Sequence, residues 1–172
     1  MPKRPYTGPR IRRRDDLERF FGFVWKYPAK PHFLWIRKGK ANRNIPVHSV
    51  DEAVAETRRW LDEGWEVYFA PSAFRSHDNR KAANIDSVPG FWFDIDVGPE
   101  KAAQGKGYAT TEEAETALAE FCDETGVPRP NLIVPSGGGG FHVYWILNEP
   151  LDPETWKAYA LKLEEVTKKW RS

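Results

Sequence analysis

A chain of 172 residues that is 40% hydrophobic, 14% aromatic and 30% charged is long and apolar enough to bury a core, and has the composition of a globular domain. It has no run of about 18 apolar residues that would cross a membrane as a helix, no apolar segment behind its charged N-terminus that would make a secretory signal, and a single cysteine, Cys122, which excludes a disulfide framework and a cysteine zinc site within the chain. The formal net charge of +1 conceals an asymmetry, because residues 1–90 carry 18 Lys+Arg against 11 Asp+Glu and the rest of the chain 8 against 14.

In chain order, residues 1–14 form a basic arm in which Lys3, Arg4, Arg10, Arg12, Arg13 and Arg14 precede the first acid, Asp15. Polyphosphate backbones attract such arms by counterion release. Residues 15–90 read as an N-terminal α/β subdomain. Leu17, Phe20, Phe21 and Val24 recur at helical spacing over 15–24. Residues 32–37 and 45–48 read as short strands around a basic turn at 38–43. Ser49 and Glu52 form a capping box for a helix with Ala53, Thr57, Trp60 and Leu61 on one face and a stop at Gly64. A strand over 65–70 follows, then a polar, basic connection over 71–90 that contains Arg75, His77, Arg80 and Lys81. A loop of that length in a compact domain points to function or motion.

Residues 91–172 give the order strand, helix, strand, strand, helix. The first strand, 91–97, is Phe-Trp-Phe-Asp-Ile-Asp-Val, and alternation puts Trp92, Asp94 and Asp96 on one face. Two carboxylates on one face repel unless a cation sits between them, so this spacing predicts a divalent-metal site. Thr110 and Glu113 open a helix whose core residues are Ala114, Ala117, Leu118 and Phe121, ending at Gly126 and Pro128. Strands over 131–135 and 141–147 flank the glycine run Gly137, Gly138, Gly139 and Gly140, and His142 and Tyr144 share a face of the second strand. Bare backbone N–H groups suit an anionic phosphate. The run is no Walker A, since no Gly-Lys-Ser/Thr ending follows it, and Gly105-Lys106-Gly107 reads as a turn. Asp152 and Pro153 open a last helix with Trp156, Tyr159, Ala160, Leu163, Val166 and Trp170 on its buried stripe.

This order is an RNA-recognition-motif-like unit without its last strand, an α+β core in which the first and third strands are central neighbours. Such a core would set His142 and Tyr144 beside Asp94 and Asp96. With an N-terminal α/β extension, the whole reads as an α/β protein that holds metal and polyphosphate, as a nucleotidyltransferase requires.

Phe93-Asp94-Ile95-Asp96 followed by Ser136-Gly137-x-x-Gly140-x-His142 resembles the first two motifs of the archaeo-eukaryotic primase superfamily, including primase-polymerase domains of phages, plasmids and mobile elements. The resemblance covers about residues 65 to 170. It implies that Asp94 and Asp96 bind catalytic Mg²⁺ or Mn²⁺, that Ser136, the glycines and His142 hold a nucleoside triphosphate, and that Asp94, Asp96 and His142 are the catalytic residues. Related proteins often place basic residues where this chain has Gly138 and Gly139, so triphosphate charge would be met by Lys106, Arg75, Arg80 or Lys81. The family's third carboxylate lies on a strand after the last helix, and the chain is expected to lack that strand. The implied activity is two-metal, template-directed synthesis of DNA or RNA primers in replication, by a metal-dependent DNA primase or DNA-directed polymerase. Arg75, Arg80 and Lys81 would then contact a single-stranded DNA template. The implied partners are nucleoside triphosphates and a helicase domain or protein beyond the C-terminus, in a cytoplasmic, prokaryotic, viral or plasmid-encoded setting. One alternative is a replication-initiator or single-stranded-DNA-binding module of the same fold that lost its chemistry, although pure binding needs neither aspartate. Another is a DNA-nicking initiator with Tyr144 as nucleophile, for which the sequence shows no histidine pair.

Overall fold

The computed structural model describes residues 16–26, 30–136 and 139–171. The basic arm, Gly137 and Gly138 lie outside the described residues. The described chain runs α1 (Leu17–Val24), β1 (His32–Lys38), β2 (Ala41–Val47), α2 (Val50–Asp62), β3 (Glu66–Phe69), β4 (Ala73–Phe74), a 3-10 turn at Ala82–Asn84, β5 (Ile85–Ile95), α3 (Pro99–Ala103), α4 (Thr111–Thr125), β6 (Leu132–Pro135), β7 (Phe141–Leu151) and α5 (Pro153–Arg171). None of the described helices is long and apolar enough to cross a membrane. The described chain divides into two compact units, one holding Gly90–Ile146 and residues from Ala158 onward, the other residues 16–89 together with Leu147–Lys157.

The first unit in sequence is built on an antiparallel sheet of order β2-β1-β3. Leu34 and Ile36, both fully buried, point to one face of β1. On that side Phe69, the cross-strand partner of Leu34, receives Phe20, Phe21 and Trp25 of the α1 region edge-on. Each such aromatic contributes roughly 1.5–3 kcal/mol by leaving water. The Ser49 hydroxyl accepts from the N–H of Glu52 at 3.1 Å, as a capping box requires, but the Glu52 carboxylate returns to the N–H of His48 at 2.7 Å. Val54 is buried on α2 in place of Leu61, which stays 38% exposed because the helix turns that position outward.

Two expectations about loops are corrected. The basic turn is not six residues long: pairing continues to Lys38 opposite Ala41, leaving Gly39 and Lys40 as the turn with Gly39 at φ +60°. The connection over 71–90 is also shorter than its polarity suggests. Ala73 and Phe74 form a strand against Ser87 and Ile85, and β5 begins at Ile85, six residues before the apolar run. Asp86, Ser87, Pro89 and Gly90 disguise its period.

The second sheet has the order β4-β5-β7-β6, so β5 and β7 are the central neighbours and β4 holds the edge place beside β5 at Ile85 and Ser87. A Cβ on Gly90 would strike the Trp145 carbonyl, and one on Gly140 would lie 2.5 Å from the Ile95 carbonyl, so β5 and β7 run in opposite senses in close contact. Ala114, Leu118, Phe121 and Cys122 of α4 pack with Phe141, Val143 and Trp145 of β7, and Phe91, Phe93 and Ile95 of β5 pack against them. Ala117 is half-buried. Gly126 ends α4 in the left-handed region at φ +74°. On α5 the expected stripe is only partly covered: Leu163, Val166 and Trp170 pack on this core, while Tyr159 is 54% exposed.

Candidate metal and nucleotide site

Asp94 and Asp96 come to their places differently. Asp94 lies within β5, on the face opposite Phe93 and Ile95, and its side chain is 69% exposed. Asp96 lies just past the end of the strand, which stops at Ile95 and not at Val97. There the chain makes a closed loop: Tyr108 N–H donates to the Asp96 carbonyl at 3.0 Å, Gly98 N–H donates to the Tyr108 carbonyl at 2.8 Å, and Val97 bridges Tyr108. Gly107 packs so tightly on Asp96 that an added Cβ would strike the Asp96 carbonyl. The loop carries α3, and Lys101 on that helix places its ammonium 3.2 Å from each carboxylate oxygen of Asp96. Sequence reasoning missed Lys101 because its approach to Asp96 depends on this loop closure. Lys106, the cation it favoured, bonds instead to Gln104 at 3.1 Å.

β7 brings His142 beside Asp94, with Nε2 standing 3.3 Å from its Oδ1. The aspartate-to-histidine approach follows directly from strand adjacency. Tyr144, two residues on, is buried, and burial together with the Asp94 charge pushes its phenol up to about 12. A buried, protonated phenol is a poor nucleophile, which weighs against the nicking alternative.

Ser136 and the described glycines close the loop between β6 and β7. Ser136 N–H donates to the Gly140 carbonyl at 2.8 Å, and Gly139 sits at φ +92°. Gly140 has no room for a side chain between Ile95, Ser136 and Val97. Two of the four glycines therefore have a backbone reason of their own. The Thr111 hydroxyl, in the first turn of α4, donates to the Gly139 carbonyl at 3.1 Å and ties that helix to the loop.

A cavity of about 380 Å³ adjoins Asp94. Trp92, Phe93, Asp94 and Ile95 of β5 line it together with Phe121 of α4 and Trp170 of α5. Trp92 is 38% exposed on the Asp94 face.

The remaining candidates belong to the other compact unit. Arg75 donates to the Ala83 carbonyl at 3.1 Å, and Arg80 donates to Asn44 at 2.7 Å while its guanidinium lies over Trp35. Burial lowers the pKa of Arg80. Lys81 has an exposed side chain.

No family model and no curated protein matches the chain. Among solved structures it is similar to the AEP domain of the primase-polymerase of Cyanophage S-2L, with a TM-score of 0.60 and 18% identity over 90% of this chain and 72% of that one. The fold is that of an archaeo-eukaryotic primase-type domain. In the primase-polymerase fold the paired central strands put Asp94 and His142 side by side here, with the glycine loop at the strand ends.

Proposed function

We propose that this chain is a nucleotidyltransferase domain of primase-polymerase type, joining nucleoside triphosphates on a single-stranded DNA template. The observation that carries this reading is the 3.3 Å approach of His142 Nε2 to Asp94, with Gly140 packed beside Ile95 and Val97 at the end of β5.

The carboxylates of Asp94 and Asp96 are hard oxygen donors open to solvent, which suits Mg²⁺ or Mn²⁺. Among the described residues no group of three or more His, Cys, Asp and Glu is arranged to hold an ion. Mg²⁺ commonly takes one or two carboxylates and completes its shell with water and substrate phosphate, so the proposal asks no more of the chain than Asp94 and Asp96. When bound, such metal supplies activation of a 3′-hydroxyl and charge neutralisation at the triphosphate. The chain's own part is to position. Asp94 and Asp96 orient the reacting end, and His142 Nε2, already facing Asp94, reaches a phosphate oxygen. The Ser136 hydroxyl and the glycine loop receive the remaining phosphates, and Lys101 adds charge that Gly138 and Gly139 do not provide.

Asp94→Ala and Asp96→Ala test this. Each should abolish metal-dependent nucleotide incorporation and Mn²⁺ binding by calorimetry, with the thermal melt preserved, because losing an exposed carboxylate seldom destabilises. Equal Mn²⁺ binding by wild type and the double alanine variant would sink the reading.

A further inference from the structure

The face of β1 that buries Phe33 against Phe74 opens to solvent toward Trp35 and Arg37, and carries there an arrangement that the chemistry above does not use. Directly paired residues of an antiparallel ladder share a face. Trp35 pairs with Tyr68 on one side and Asn44 on the other, and Arg37 pairs with Glu66 and Asn42. Leu34 and Ile36 point to the opposite face, the one covered by α1 and α2. The Trp35 and Tyr68 rings stand 4.9 Å apart at 41°, and Tyr68 is 43% exposed. The Arg80 guanidinium lies 5.7 Å over Trp35 and is held there by its bond to Asn44. Glu66 accepts from Arg37 at 2.7 Å and from the Tyr68 hydroxyl at 3.1 Å, so the acid of the patch is neutralised.

We infer that this face is a stacking platform for single-stranded DNA. An exposed ring beside a second ring offers a π-face that any base can use, and a guanidinium plane fixed over an aromatic extends that surface while attracting phosphate. Exposed Asn42 supplies an amide for base edges. Charge complementarity selects the partner: Arg37 and Arg80 outweigh Glu66 on the face. A cross-strand aromatic pair serving stability alone would gain more from burial. The inference deepens the proposed function by naming where a template strand stacks, and it rests on that reading only for the word template.

The test is anisotropy of labelled oligo(dT) titrated with the full chain in EDTA, without nucleotide, so that the Asp94 site is not engaged. Tyr68→Ala should weaken binding about tenfold, the scale of one lost base stack. Tyr68→Val, which keeps strand propensity but has no π-face, should do the same, and Tyr68→Phe should stay within about twofold of wild type. Undiminished binding by Tyr68→Ala and Tyr68→Val, or a Phe variant as weak as Ala, overturns the platform. Mn²⁺ binding and incorporation by Asp94→Ala report separately on the nucleotidyl-transfer reading, so either can fail while the other stands.

Discussion

If a divalent ion binds at Asp96 as proposed, it has to displace an ammonium group, because Lys101 stands 3.2 Å from both carboxylate oxygens. Partly exposed ion pairs of this kind are worth about 0.2–1 kcal/mol. Lys101→Ala should therefore tighten Mn²⁺ binding by about two- to fivefold, read by calorimetry in the absence of nucleotide; weaker binding would mean that Lys101 organises Asp96 and does not compete for it. His142→Ala should weaken triphosphate binding by about 1.5–3 kcal/mol, the scale of a charged hydrogen bond, and leave monophosphate binding little changed. Nucleotide titrations of the two phosphate series check it. At this scale the sequence, through strand alternation, anticipated the approach of His142 to Asp94, but not that Asp96 lies past the end of β5. It hid Lys101, whose approach needs Gly98, Gly107 and Tyr108 to fold the chain back on itself.

Elements carry their own tests. A methyl group at Gly140 has nowhere to go between the Ile95 carbonyl and Ser136, so Gly140→Ala should cost about 1–3 kcal/mol in a denaturant melt. The start of α5 is pH-sensitive for a local reason. Asp152 accepts from the N–H groups of Thr155 at 3.0 Å and Glu154 at 3.1 Å, and its bonds to Thr155 foremost hold its pKa below the usual carboxylate value. A depressed folded-state pKa adds stability that is fully present above the unfolded value, about pH 4, and is lost as pH falls through the folded value. Asp152→Asn keeps a good cap without the ionisation, so its melting temperature should fall less than wild type between about pH 5 and 2. Parallel acid dependence in both proteins would remove Asp152 as a cause. Caps of this kind were readable in advance because they span only three residues; the ends of β5 were not, since Pro89 and Gly90 interrupt its apolar pattern.

For the whole molecule, the charge asymmetry sets an expectation about salt. If three phosphates are neutralised, raising salt from about 50 to 200 mM should weaken oligonucleotide binding about twentyfold. Mn²⁺ binding, proposed at Asp94 and Asp96, would be a separate equilibrium and should not follow that slope. Anisotropy and calorimetry across the same salt series check both, and a flat oligonucleotide response would mean that the basic side chains do not meet phosphate.

The amino-acid sequence by itself determined most helices, the strand that carries Asp94, the glycine turn before His142 and the excess of positive charge in the first half. All of these are local patterns of spacing, capping and composition. Only the tertiary structure decided that β4 takes the place beside β5 and that α3 delivers Lys101 to Asp96. It alone set Arg80 on Trp35 beside Tyr68. Those outcomes depend on contacts between residues far apart in the chain, where strand pairing and loop closure choose the neighbour and the periodicity of any one segment does not.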